Sequence, residues 1–142
     1  MELVEIKRNV VIRADGESIH VVKKRGQVFV CSQGCCCGRT DKGFPAVPQD
    51  LYHREWERRK LRNKIHLTQS GCLGPCSLAN VVLLIFDGQP IWFHSINEER
   101  LILAIYDYID MMLRADGYVV PTPDLQPLVF EGFTWAASSD VG

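Results

Sequence analysis

All six cysteines of this chain fall in two short turns. The first is Cys31-Ser32-Gln33-Gly34-Cys35-Cys36-Cys37-Gly38-Arg39, and the second is Ser70-Gly71-Cys72-Leu73-Gly74-Pro75-Cys76-Ser77. The second turn can hardly be helical. Gly71 and Gly74 let the backbone turn tightly, and Pro75 biases Gly74 away from helical geometry. Two thiol-rich turns that close on one another offer a metal four thiolates. That is the ligand number of a small iron–sulfur cluster and of a structural zinc site. The second turn supplies Cys72 and Cys76, and the first supplies Cys31 and one of Cys35, Cys36 and Cys37.

Other thiol chemistries fit less well. A plant-type ferredoxin needs a further cysteine three positions after the second ligand, where this chain has Gly38 or Arg39. A Rieske centre needs two histidines beside the cysteines, and His20, His53, His66 and His94 stand apart from both turns. The bacterial two-cluster run is absent, and so is the Cys-x-x-Cys of a thioredoxin-like redox pair. Zinc sites bring their ligands in pairs two residues apart, unlike the spacings here, although a structural or regulatory metal module remains the alternative reading.

The chain around these turns is that of an ordinary globular protein. Its 142 residues can bury a sizeable core without disulfides, and 46% are hydrophobic and 23% charged. A net charge of −1 argues against nucleic acid as a partner. The N-terminus, Met1-Glu2-Leu3-Val4-Glu5-Ile6-Lys7-Arg8, carries charges where a signal peptide has an apolar centre, and no apolar run reaches the length of a membrane span. The expectation is a cytoplasmic protein with reduced thiols.

Several elements must position the thiols. Val4–Arg13 and Ser18–Val22 flank Ala14-Asp15-Gly16-Glu17 and predict an N-terminal β ribbon. Gln27–Cys31 reads as a buried strand delivering Cys31 at its end. Asp50 is a candidate N-cap for a helix from Leu51 to about Leu61. Lys64–Gln69 reads as a strand leading into the Cys72 turn, and Asn80–Phe86 as a strand buried on both faces. Asp87-Gly88 marks a hairpin into Ile91–His94. Asn97 is placed to cap a helix from Glu98 to about Ala115, with Leu101, Ile105, Tyr108, Ile109 and Met112 at helical spacing and Gly117 as its stop. Pro121, Pro123 and Pro127 then break regular structure, yet the tail keeps Val119, Leu128, Phe130, Phe133 and Trp135. The pattern predicts a small mixed α/β sheet covered by helices, with both thiol turns at strand ends.

Cys31-x₄-Cys36, thirty-five intervening residues and Cys72-x₃-Cys76, with Arg39 three after Cys36, resemble the thioredoxin-like [2Fe–2S] ferredoxin family. The small iron–sulfur subunit of NADH:quinone oxidoreductase shares that pattern. Gly-Cys-Cys-Cys-Gly-Arg and Gly-Cys-Leu-Gly-Pro-Cys are most similar to ferredoxin-like proteins associated with cobalamin biosynthesis and cobalt chelatases. The resemblance covers about Gln27 to Met112. It implies a thioredoxin-like α/β fold, a [2Fe–2S] cluster on Cys31, Cys36, Cys72 and Cys76, and single-electron transfer between proteins with no enzymatic reaction of its own. Residues 26–117 would form the ferredoxin domain, between an N-terminal extension over 1–25 and a C-terminal tail over 118–142. Backbone donors of Leu73, Gly74, Cys76 and Ser77 would point at cluster sulfurs. Arg54, Arg58, Arg59 and Arg62 would dock a redox partner, the ordinary alternative being a solvated helix face partly neutralised by Glu55 and Glu57. A homodimer is a further expectation.

Overall fold

The computed structural model describes residues 7–31, 39–75 and 78–134. It opens with β1 (Lys7–Ile12) and β2 (Ser18–Lys23), an antiparallel ribbon that forms a sheet of its own. Its turn is closed by the Arg13 N–H on the Glu17 carbonyl at 2.8 Å, with Gly16 at φ +91°. The remaining strands make one five-stranded sheet. They are β3 (Gly26–Cys31), β4 (Ile65–Ser70), β5 (Val82–Phe86), β6 (Gln89–Phe93) and β7 (Val129–Phe130), in the order β4-β3-β5-β6-β7. Helix α1 (Gln49–Arg58) crosses from β3 to the parallel β4. The antiparallel hairpin β5–β6 precedes α2 (Glu99–Ala115). A β-α-β unit joined through its first strand to a β-β-α unit makes one mixed sheet with helices beside it, and the α/β class is as the sequence predicts.

Strand alternation divides the side chains of this sheet between two faces. Val28 and Val30, Val82, Leu84 and Phe86, and Ile91 and Phe93 point into the main core. There they meet Leu51, Tyr52 and Trp56 of α1 and Leu101, Ile102, Ile105 and Ile109 of α2. Phe29, Cys31, Leu83, Ile85 and Trp92 belong to a second cluster, completed by loop residues such as Phe44, Leu73 and Leu78 and by Phe130 of β7. Both helices therefore cover one face, and among the described residues the other is closed by loops and by the segment after α2. Gly26 is required where β3 passes β5, because a Cβ there would stand 1.9 Å from the Ile85 carbonyl oxygen.

Helix ends differ from the sequence expectation. Helix α1 starts at Gln49 behind Pro48, with no side-chain cap, and stops at Arg58; Leu61 lies beyond it and is fully buried. Helix α2 has Glu98 at its N-cap. Asn97 instead accepts the Asn80 N–H on its side-chain oxygen at 3.1 Å. The left-handed residue that ends α2 is Asp116 (φ +58°), not Gly117. The prolines after α2 do not prevent pairing: Phe130 and Val129 join Trp92 and Phe93 in register. The hairpin at Asp87-Gly88 is as expected, with φ of +50° and +83°.

Candidate metal centre

Parallel pairing of β3 with β4 sets Cys31 directly beside Ser70. Both strands run toward the same edge of the molecule, so the first thiol turn leaves β3 where the second leaves β4. Cys72 follows Ser70 by two residues. Cys31 is 2% exposed, within the apolar cluster on the helix-free face, and its N–H donates to the Val81 carbonyl at 3.2 Å. Cys72 is exposed. A metal group held by both would thus have one buried and one solvent-facing thiol. Cys36 and Cys76, together with Cys35 and Cys37, lie outside the described residues. Among the described residues no group of three or more His, Cys, Asp and Glu side chains is assembled to hold a metal ion.

In the Cys72 turn a backbone amide is suited to a thiolate. The Gly74 N–H points at Cys72 Sγ, with N and S 3.3 Å apart. Gly74 holds φ +119°, a conformation that side chains rarely adopt, and no atom lies within 4 Å of where its Cβ would be. Its glycine identity therefore serves the backbone angle that aims the amide, not space. Two thiols at adjacent strand ends, one with an amide donor, suit an iron–sulfur or zinc group; they are two of the four ligands that the sequence leads one to expect.

Asn80 is a residue whose role at this site the sequence reading did not single out. It is 4% exposed at the head of an otherwise apolar run. Its side-chain nitrogen donates to the Pro45 carbonyl at 3.0 Å, its N–H to Asn97, and its carbonyl accepts from Ile96 at 2.9 Å. Asn80 thereby ties together the segment returning from the first thiol turn, the exit of the second, and the approach to α2. A lone polar residue opening an apolar strand was the available signal, since a buried amide must find partners.

The arginines expected to dock a partner are mostly engaged within the chain. Glu55, 8% exposed, accepts from Arg58 at 2.7 Å and from Arg59 at 3.2 Å. Arg59 also donates to Asp107 at 2.8 Å and Asp110 at 2.7 Å on α2 and lies over the Tyr106 ring. Arg62 pairs with Glu57 and stacks on Trp56. Hydrogen bonding from Arg58, then Arg59, holds the Glu55 carboxyl down to about 2 against the opposing effect of burial. Arg54 is exposed, and no ion pair reaches it among the described residues. His66 is exposed, while Trp92 and Phe93 are buried on opposite faces of the sheet. No helix among the described residues is long and apolar enough to cross a membrane.

The chain is similar to solved structures of a thioredoxin-like [2Fe–2S] ferredoxin from Aquifex aeolicus. One, of the wild-type protein, is 18% identical, with 77% of this chain and 99% of that one covered and a TM-score of 0.48. Another is 19% identical, covering 79% of this chain and 96% of that one, also with a TM-score of 0.48. No protein-family model matches the chain. No curated protein matches it.

Proposed function

We propose that the protein is a [2Fe–2S] electron carrier whose ligands are Cys31, Cys36, Cys72 and Cys76. The observation that carries this reading is the side-by-side exit of the two thiol turns from the paired parallel strands β3 and β4. The cysteine spacing and the Cys-Leu-Gly-Pro-Cys sequence of the second turn support it. When bound, such a cluster supplies one-electron redox chemistry, with no need of a substrate pocket. The chain's own part is to present the thiols, donate hydrogen bonds to their sulfurs and exclude water. Gly74 does the second at Cys72, and the apolar cluster around Cys31 does the third.

Protein redox partners go with this reading. Since Arg58, Arg59 and Arg62 are already paired, Arg54 is the member of that set left to meet one. The cobalamin context rests on the two cysteine motifs alone. The division into an extension over 1–25, a ferredoxin domain over 26–117 and a tail is part of the same proposal.

The test is purification without oxygen, followed by iron and sulfide analysis, a visible spectrum and EPR before and after reduction. Two irons and two sulfides per chain, with a signal appearing only on reduction, are expected. A colourless zinc protein would sink the proposal. Single serine replacements of Cys35, Cys36 and Cys37 check the second ligand: an intact cluster in Cys36→Ser overturns its assignment.

A further inference from the structure

The β1–β2 ribbon has features that its own fold does not use. It is a sheet of two strands, so each strand keeps an outer edge of backbone donors and acceptors that the ribbon itself does not pair. Val11 and Val21 lie on one side of it, and Val10 and Ile12 on the other. They are 43%, 45%, 54% and 63% exposed, half of the large apolar residues exposed in the described chain. A two-stranded ribbon with no buried side is marginal in water. Its shaft is also basic. Lys7 stands opposite Lys23 in register, with Arg8 beside it opposite Val22. Among the described residues no ion pair reaches Arg8 or Lys23. Arg58, Arg59 and Arg62 at α1, by contrast, are all paired.

We infer that this ribbon is a docking arm for an acidic β-strand of another protein, which adds to an outer edge. Strand addition satisfies the backbone, covers β-branched side chains and sets negative charge against Arg8 and Lys23 together. The acidic residues of the ribbon sit at its tip, where Asp15 pairs with Arg13 and Glu17 follows. With Asp15 paired to Arg13, the tip keeps one net negative charge at Glu17, which favours a protein strand over the dense phosphates of a nucleic-acid groove or an anionic lipid surface. The inference does not depend on the electron-carrier reading, because the ribbon contains none of the thiols.

The test titrates the ¹⁵N-labelled full chain with an acidic peptide, Glu-Thr-Val-Glu-Val-Thr-Glu, and with its counterpart carrying lysine for glutamate. A short DNA duplex and phosphatidylglycerol vesicles form two further arms. The acidic peptide is expected to give saturable shifts confined to the amides of residues 7–23, weakened several-fold by raised salt. Binding should fall by about tenfold when Arg8→Glu and Lys23→Glu are combined, while the lysine peptide gains. Hairpin cross-peaks retained in that variant show that the ribbon still forms. Val10→Thr with Ile12→Thr, which keeps the charges, gives a second and smaller loss. Unmoved ribbon amides at millimolar peptide, equal binding of both peptides, or tighter binding of the duplex or the vesicles would each overturn the inference.

Discussion

Gly74 illustrates how one backbone angle can set the chemistry of a thiolate. Its amide reaches Cys72 Sγ from a left-handed conformation that glycine adopts without cost. A hydrogen bond to sulfur favours the more negative, reduced state of a bound cluster. Gly74→Ala has room for its methyl but not for the angle, so the turn must relax and the amide must swing away. A net hydrogen bond is worth about 1 kcal/mol, which for one electron corresponds to at most roughly 40 mV. With the proposed cluster bound, the variant is expected to have a lower reduction potential within that limit, measured by redox titration of its visible spectrum. An unchanged potential would mean that the contact does not act on the cluster. This donor was legible in the sequence, since a Gly-x-x-Gly-Pro turn beside thiols has few other uses. Asn80 was not: its meaning lies in Pro45 and Asn97, which are distant along the chain and adjacent only after folding.

At the level of elements, α1 and α2 are joined by a polar clamp laid over their apolar contact. Glu55 holds Arg58 and Arg59, and Arg59 reaches across to Asp107 and Asp110. Beneath it, the Tyr106 hydroxyl donates to the Tyr52 carbonyl at 2.7 Å, and burial pushes that phenol's pKa upward. The Glu55 carboxyl is depressed in the folded state, so its contribution to stability is complete above its ordinary value of 4.5. It is lost as pH falls from there toward about 2. Glu55→Gln should lower stability by about 2 kcal/mol at neutral pH. It should also flatten the acid limb between those values, in urea midpoints measured across pH. A variant with the wild-type acid limb would remove Glu55 from the clamp. Sequence pattern located both helices, because apolar spacing outlives local exceptions. It placed the last turn of α2 at Ala115 but missed its caps, because Asn97 was drawn to the Asn80 amide and Asp116 took the left-handed position beside Gly117, and it missed the stop of α1 at Arg58. It also missed β7, where pairing with β6 overrides the neighbouring prolines.

For the whole molecule, the main core and the thiol site are separate structures that share β3. Leu84, Phe93, Tyr108 and Ile109 of that core are fully buried on the helical face, and no described cysteine belongs to it. Removal of the proposed metal group by a chelator should leave far-UV circular dichroism and cooperative urea unfolding in place, in contrast to small metal-dependent domains. Loss of the cooperative transition on chelation would show that the metal organises the sheet itself. Strand alternation made the sheet legible, but the face on which Cys31 lies depended on register, which pairs Cys31 with Ser70 and Val30 with Val82. Both helices are on the other side. For the proposed carrier, this one-sidedness has a kinetic meaning. Donor and acceptor would compete for the same approach to the cluster, so the protein would shuttle between them and not bridge them, and an excess of either would slow turnover by occupying the shared berth.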